Sequence, residues 1–215
     1  MGEQSSSPKV RAYMMRARQE SVEQTRLRIT EATMRLHERV GPAATTVSAI
    51  ADEAGVTRLT VYRHFPDDAA LVIACSGHWS ALHPRPDATR WASISDPEER
   101  LRTALSETYG WARTAAPMMT KIYRDLETMP AFVGEFLAQD EQSRVETLTK
   151  GFRARGRAAR RLQAAVRHAL HVRTWESLCL DGALDDDEAI ELMVAAVLAA
   201  VAAVGAVAAV HAPRR

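Results

Sequence analysis

Between Thr46 and Phe65 the chain reads TVSAIADEAGVTRLTVYRHF, and this stretch limits the possible folds more tightly than any other. Val47, Ile50, Ala51 and Ala54 fall at i, i+3, i+4 and i+7, one face of a short helix. Gly55 is placed to end that helix, because a residue without a Cβ takes positive φ at little cost. Thr57 can cap a second helix through its hydroxyl, with Val61 and Phe65 one turn apart on the inner side. Two short helices joined by a tight Gly-containing turn predict a helix-turn-helix, whose second helix enters the major groove of double-stranded DNA.

The flanking sequence extends this into an all-α chain. Residues 1–20 mix Ser, Gly, Gln and cations without periodicity and read as a mobile basic arm. A helix is predicted from about Ser21 to Val40, stopped by Gly41-Pro42. After the two motif helices, Pro66-Asp67-Asp68 restarts the chain into a fourth helix that ends near Leu82, before His83-Pro84-Arg85-Pro86. This gives an N-terminal helix-turn-helix domain over 21–82 and a second helical domain over 83–211. In the second, Trp91–Ser95 reads as a connector and Asp96-Pro97-Glu98-Glu99 as a helix start. Pro117 should end that helix. Shorter helices follow to Pro130 and Gly151, then two long ones over about 157–180 and 185–211.

Charge is distributed unevenly. Residues 1–64 hold ten Lys/Arg against seven Asp/Glu, and Lys9, Arg11, Arg16 and Arg18 in the first nineteen residues oppose the single acid Glu3. The motif itself is therefore close to neutral, and the arm ahead of it supplies the field that attracts phosphate. The two cysteines, Cys75 and Cys179, have no paired-ligand spacing, and the N-terminus lacks the apolar segment of a secretory signal, so a reduced cytoplasmic protein is expected. No Gly-rich phosphate loop, GxSxG or HExxH occurs, which argues against an enzyme, and no cofactor is expected.

The last helix carries Ile190, Val194, Val197, Val201 and Val204 at alternating spacings of four and three, the seam of helices packed side by side. Flanking alanines would let another backbone come close, which predicts a dimer interface at these five residues. Leu192–Val210 is nineteen uncharged residues, long enough for a membrane span. Nearly half of it is alanine, so a buried helix contact is the better reading and no membrane partner is expected.

The segment ITEATMRLHERVGPAATTVSAIADEAGVTRLTVYRHFPDDAALV resembles the DNA-binding domain of the tetracycline-repressor (TetR) family of bacterial transcription regulators. The AGV turn, the TVYRHF helix and the FP restart carry the likeness, over residues 21–75. It implies a helical ligand-binding and dimerisation domain behind the motif, operator DNA and a small-molecule effector as partners, and a homodimer. It further implies a repressor that leaves a palindromic operator when the effector binds. By position, Arg58 would read a base and Leu59 meet a thymine methyl, with Arg63 on the same side. Thr60, Tyr62 and His64 would touch phosphate, Thr46 and Ser48 backbone or a base edge, and Thr57 would contact DNA while capping the helix. The family often has a phosphate-gripping lysine where this chain has Asp68.

For the effector, the aromatics and methionines of the second domain are the candidates: Trp91, Tyr109, Trp111, Met118, Met119, Tyr123, Phe132 and Phe136. Cys75, His78 and His83 carry metal-ligating atoms, as do His168 and His171, but neither group has a convincing third ligand, and no metal is expected. The arginines between 153 and 161 read as a solvated linker.

Overall fold

The computed structural model describes residues 8–210, with side chains over 12–202 and at Lys9. Among the described residues ten α-helices follow one another: α1 (Pro8–Val40), α2 (Val47–Ala54), α3 (Arg58–His64), α4 (Asp68–Leu82), α5 (Ala88–Ala92), α6 (Pro97–Asp125), α7 (Ala131–Thr149), α8 (Arg157–Leu170), α9 (Val172–Trp175) and α10 (Asp186–Val210). No strand occurs among these residues. The chain divides into two compact units, Met1–Leu82 and His83–Arg215.

In the first unit, Ile29, Ala32 and Leu36 of α1 pack against Ile50, Ala51 and Ala54 of α2, Val61 and Phe65 at α3, and Leu71 of α4. α1 begins at Pro8, well ahead of the start expected at Ser21, so residues 8–20 continue the helix instead of forming an arm. Residues 12–24 are exposed and carry no apolar stripe, which is why periodicity misses them. They contain no Gly or Pro, and a helix already nucleated by its packed half extends cheaply through such residues. Residues 1–7 of the expected arm lie outside the described residues.

The second unit departs from expectation in three places. Trp91–Ser95 is not a plain connector: Asp87 caps α5, accepting from Thr89 N at 2.9 Å, and Trp91 is fully buried. α6 runs through Pro117 to Asp125, because its apolar face continues on both sides of the proline with Ala112, Ala115, Ala116, Met118 and Met119 buried. The packing of that face offsets the lost backbone bond. The expected 157–180 helix breaks at His171 into α8 and α9, then passes into a π-turn over Glu176–Asp181.

Arg100 joins the segment before α6 to the end of α7 from a buried position. Its guanidinium donates to Ile94 O at 2.9 and 2.6 Å, to Thr147 O at 3.2 Å and to Lys150 O at 2.7 Å. Orphan carbonyls at the C-terminus of α7 are thereby satisfied by a cation, the sign that a helix C-terminus favours.

The seam on α10 faces inward. Ile190, Val194 and Val197 are 8%, 1% and 0% exposed within the single chain, where α10 packs on α8 and α6. Val201 is half-buried, and the side chain of Val204 lies outside the described residues. Residues already covered by their own chain are not available to a second copy, so the dimer assignment of these buried positions is corrected. A 3.5-residue repeat marks a packed helix without saying whose helix it meets. The exposed face of α10 is instead Leu192, Ala195, Ala196, Ala199 and Ala202.

Candidate nucleic-acid interface and effector cavity

The helix-turn-helix is held by local hydrogen bonds that its sequence dictates. Thr46 Oγ1 accepts from Ala49 N at 3.2 Å to start α2. Gly55 ends it at φ 65°, with Val56 N returning to Ala51 O at 2.9 Å, a left-handed cap that a side chain would strain. Thr57 Oγ1 accepts from Thr60 N at 3.2 Å and lies 2.9 Å from the Thr60 hydroxyl, which fixes the first turn of α3.

With Val61 and Phe65 buried at 2% exposure each, α3 turns its other side outward. Arg58, Leu59, Tyr62 and Arg63 are exposed there, Leu59 by 78%. An apolar side chain so open on a seven-residue helix finds no packing partner in its own unit. Thr46, Ser48 and Thr57 are exposed as well, while Thr60 and His64 are half-buried. Burial and the neighbouring Arg63 and Arg26 hold the His64 ring below the usual histidine range, which favours its neutral form at neutral pH.

Arg26 of α1 has a role that periodicity does not reveal. Its Nη1 donates to His64 O at 2.6 Å, and its guanidinium lies 4.1 Å from the centre of the Phe65 ring. A cation thus closes the C-terminus of the recognition helix. Arg35 and Arg39 both bond Glu53, each at 2.9 Å, and hold its carboxyl below the usual range. At the start of α4, Asp67 Oδ1 accepts from Ala70 N at 2.7 Å, and Asp68 stands exposed in the first turn. Both acids suit a helix N-terminus, and neither can grip a phosphate.

A family model for bacterial regulatory proteins of the tetR family matches residues 29–75, the segment that carries this geometry. This segment is similar to the DNA-binding domain of that family. The HTH-type transcriptional regulator TtgR of Pseudomonas putida is 40% identical over 85 residues, which are 40% of this chain and 39% of that protein. A probable HTH-type transcriptional regulator of the same species, ArpR, matches with the same figures. The chain thus covers about two-fifths of the length of these curated relatives. In fold, it is similar to native NalD, the secondary repressor of the MexAB-OprM multidrug efflux pump in Pseudomonas aeruginosa. That likeness has a TM-score of 0.52 at 22% identity, over 84% of this chain and 96% of that one.

The C-terminal unit contains a cavity lined from α6, α7, the α8–α9 junction and the Arg85-Pro86 segment. Of the eight effector candidates, Trp111, Met119 and Tyr123 line it. Trp91, Tyr109 and Met118 are core residues instead. Trp91 Nε1 donates to Glu107 Oε2 at 2.8 Å and the Tyr109 hydroxyl to Ala169 O at 3.1 Å, so their polar atoms are already engaged. Phe132 and Phe136 are 38% and 63% exposed and lie outside the lining.

Composition does not single out the polar residues of the cavity. Asp140 Oδ2 accepts from both Arg85 and Arg144, the latter at 2.9 Å. Arg85 sits over the Trp111 ring at 4.9 Å. Tyr123 and His171 bring their ring centres to 4.6 Å, and burial pushes the phenol up and the imidazole down from their ordinary pKa values.

The cysteine and histidine candidates for a metal are engaged elsewhere. Cys75 Sγ lies 3.8 Å from His37 Nδ1, with burial and nearby Glu38 pushing the thiol up to about 12, and His78 Nε2 lies 3.9 Å from Glu31. Among the described residues no helix is long and apolar enough to cross a membrane.

Proposed function

We propose that the protein is a cytoplasmic, homodimeric transcription regulator, a repressor that leaves a palindromic operator when a small molecule enters the C-terminal cavity. The exposed face of α3 carries this reading. Arg58, Leu59 and Tyr62 stand outward on a helix whose opposite side is packed and whose ends are both capped. An arginine at that place can bond guanine bidentately, Leu59 can meet a thymine methyl, and Tyr62 a phosphate. Two copies are needed to place two such helices about 34 Å apart in successive major grooves. The exposed Leu192, Ala195, Ala196 and Ala199 follow i, i+3, i+4, i+7 along α10 and suit a helix–helix contact between copies.

Electrostatic attraction is assigned to the N-terminal part of α1. Lys9, Arg16 and Arg18 are exposed on it, and Asp68 supplies none. Removing residues 1–18 is expected to lower DNA affinity and flatten the dependence of log K on log salt.

Selection from random duplex oligonucleotides tests the main claim. A two-fold symmetric site is the expected result, and absence of any enriched sequence contradicts specific regulation. Sedimentation of Leu192→Glu then tests the dimer face: a folded monomer is expected, and an unchanged dimer removes α10 from the interface.

A further inference from the structure

The charged groups in the wall of the C-terminal cavity balance one another. The lining holds two guanidiniums, Arg85 and Arg144, and two carboxylates, Asp140 and Glu141. Each of the four is engaged. Asp140 accepts from both arginines, Arg144 also donates to Pro86 O at 3.1 Å, and Glu141 accepts at 3.0 Å from Arg167, which stands outside the lining. An ion of either sign that enters gives up its hydration and has to open an existing pair to find a counter-charge.

One polar atom stands apart from this network. Thr108 is 7% exposed and lines the cavity, yet its hydroxyl has no hydrogen-bond partner among the described residues. A threonine within a helix can bond the carbonyl four residues back, as Thr30 and Thr33 do in α1 at 3.0 and 2.8 Å. The Thr108 hydroxyl makes no such bond, and a buried hydroxyl left unpaired is costly unless something else meets it. Because a hydroxyl both donates and accepts, a second hydroxyl can pair with it in either direction.

Much of the remaining wall is apolar, with Trp111, Met119, Leu137 and Val172. An indole and a thioether both make favourable contacts with an aromatic ring. The cavity encloses about 50 Å³, room for roughly four waters, which is the scale of one small ring.

We propose that this cavity takes a small uncharged aromatic alcohol or phenol, whose hydroxyl pairs with that of Thr108. The inference rests on the effector reading above and gives that effector a chemical class. The ring lies against Trp111 and Met119, and the ion pairs around Asp140 stay closed. Thr108 then sets the preference for an oxygen-bearing ligand over a bare hydrocarbon of the same shape.

The test is calorimetric titration of the full chain with benzyl alcohol, toluene, benzoate and benzylammonium, which share one ring. Benzyl alcohol is expected to saturate below about 5 mM, about fivefold more tightly than toluene and at least about tenfold more tightly than either ion. In Thr108→Val the preference for the alcohol over toluene should vanish while toluene binding is unchanged, and Thr108→Ser should restore it. The melting temperature of Thr108→Val should not fall, since the hydroxyl it removes has no hydrogen-bond partner among the described residues. Thr108→Ala makes the same comparison if the valine disturbs the fold.

No saturable binding of benzyl alcohol, equal or tighter binding of benzoate or benzylammonium, or an alcohol preference that survives in the folded valine and alanine variants overturns the proposal. Release from the selected operator is measured separately. Release by the ions in preference to the alcohol rejects the uncharged class and leaves regulation standing. Benzyl alcohol binding without operator release supports the cavity chemistry and rejects the regulatory reading instead.

Discussion

The two units use helices in opposite ways. In the first, short helices are fixed by their own caps and one small core, and the residues proposed to meet DNA point outward from α3. In the second, the residues proposed to meet an effector line a cavity assembled from segments as far apart as Arg85 and Val172. The difference teaches where each function stores its precision. A DNA-reading surface needs a rigid local scaffold, whereas an effector cavity needs several long helices whose spacing can change.

Substitutions that act on one unit's strategy should leave the other's intact, and four expected outcomes follow from this, largest first. Arg100→Ala removes the cation that satisfies carbonyls before α6 and at the end of α7, and its loss should cost about 3 kcal/mol in urea unfolding. A change within a few tenths of a kcal/mol would mean that the unit does not depend on this buried tie. Arg58→Ala should weaken binding to the selected operator by about 2 kcal/mol while sparing nonspecific binding and the melting temperature. Equal losses on operator and random DNA would make Arg58 a phosphate contact.

Thr57→Ala tests the local scaffold. Loss of the hydroxyl that accepts from Thr60 N should cost about 1 kcal/mol of stability, and Thr57→Ser should recover it. A neutral result in thermal melts would show that tertiary packing alone sets α3.

The smallest effect concerns pH. Burial holds His171 below the ordinary histidine range, so the unfolded chain takes up a proton more readily than the folded one. The stability from the neutral ring is complete above about pH 6.5 and is lost as pH falls through the depressed folded value. His171→Asn keeps an acceptor for the α9 cap and should flatten the melting temperature between about pH 6.5 and 5. Retention of the full slope in that variant would assign it to other groups.

Much of the first unit was legible because its determinants are neighbours in sequence. The threonine caps, Gly55 and the spacing of Ile50, Val61 and Phe65 act within one or two helical turns. Arg26 was not legible, since its contact with His64 O spans 38 residues and has no periodic sign. In the second unit, aromatic and methionine content pointed to the right region and to Trp111, Met119 and Tyr123, yet it equally selected Trp91 and Tyr109, which fill the core. Residue type measures a wish for burial, and a cavity wall and a core satisfy that wish alike.

By itself, the sequence determined an all-α chain, the helix-turn-helix, the identity of its outward residues and the likeness of that segment to the tetR-family model. Those follow from hydrophobic period, caps and turn residues, which act locally. Only the tertiary structure decided that α1 continues to Pro8, that α6 passes Pro117, and that the Val194 face of α10 meets its own chain. It also decided which arginines share Asp140 and that the Thr108 hydroxyl has no hydrogen-bond partner among the described residues. Each of these depends on which surfaces meet across long sequence separations, and a one-dimensional pattern shows that a face must be covered without showing what covers it.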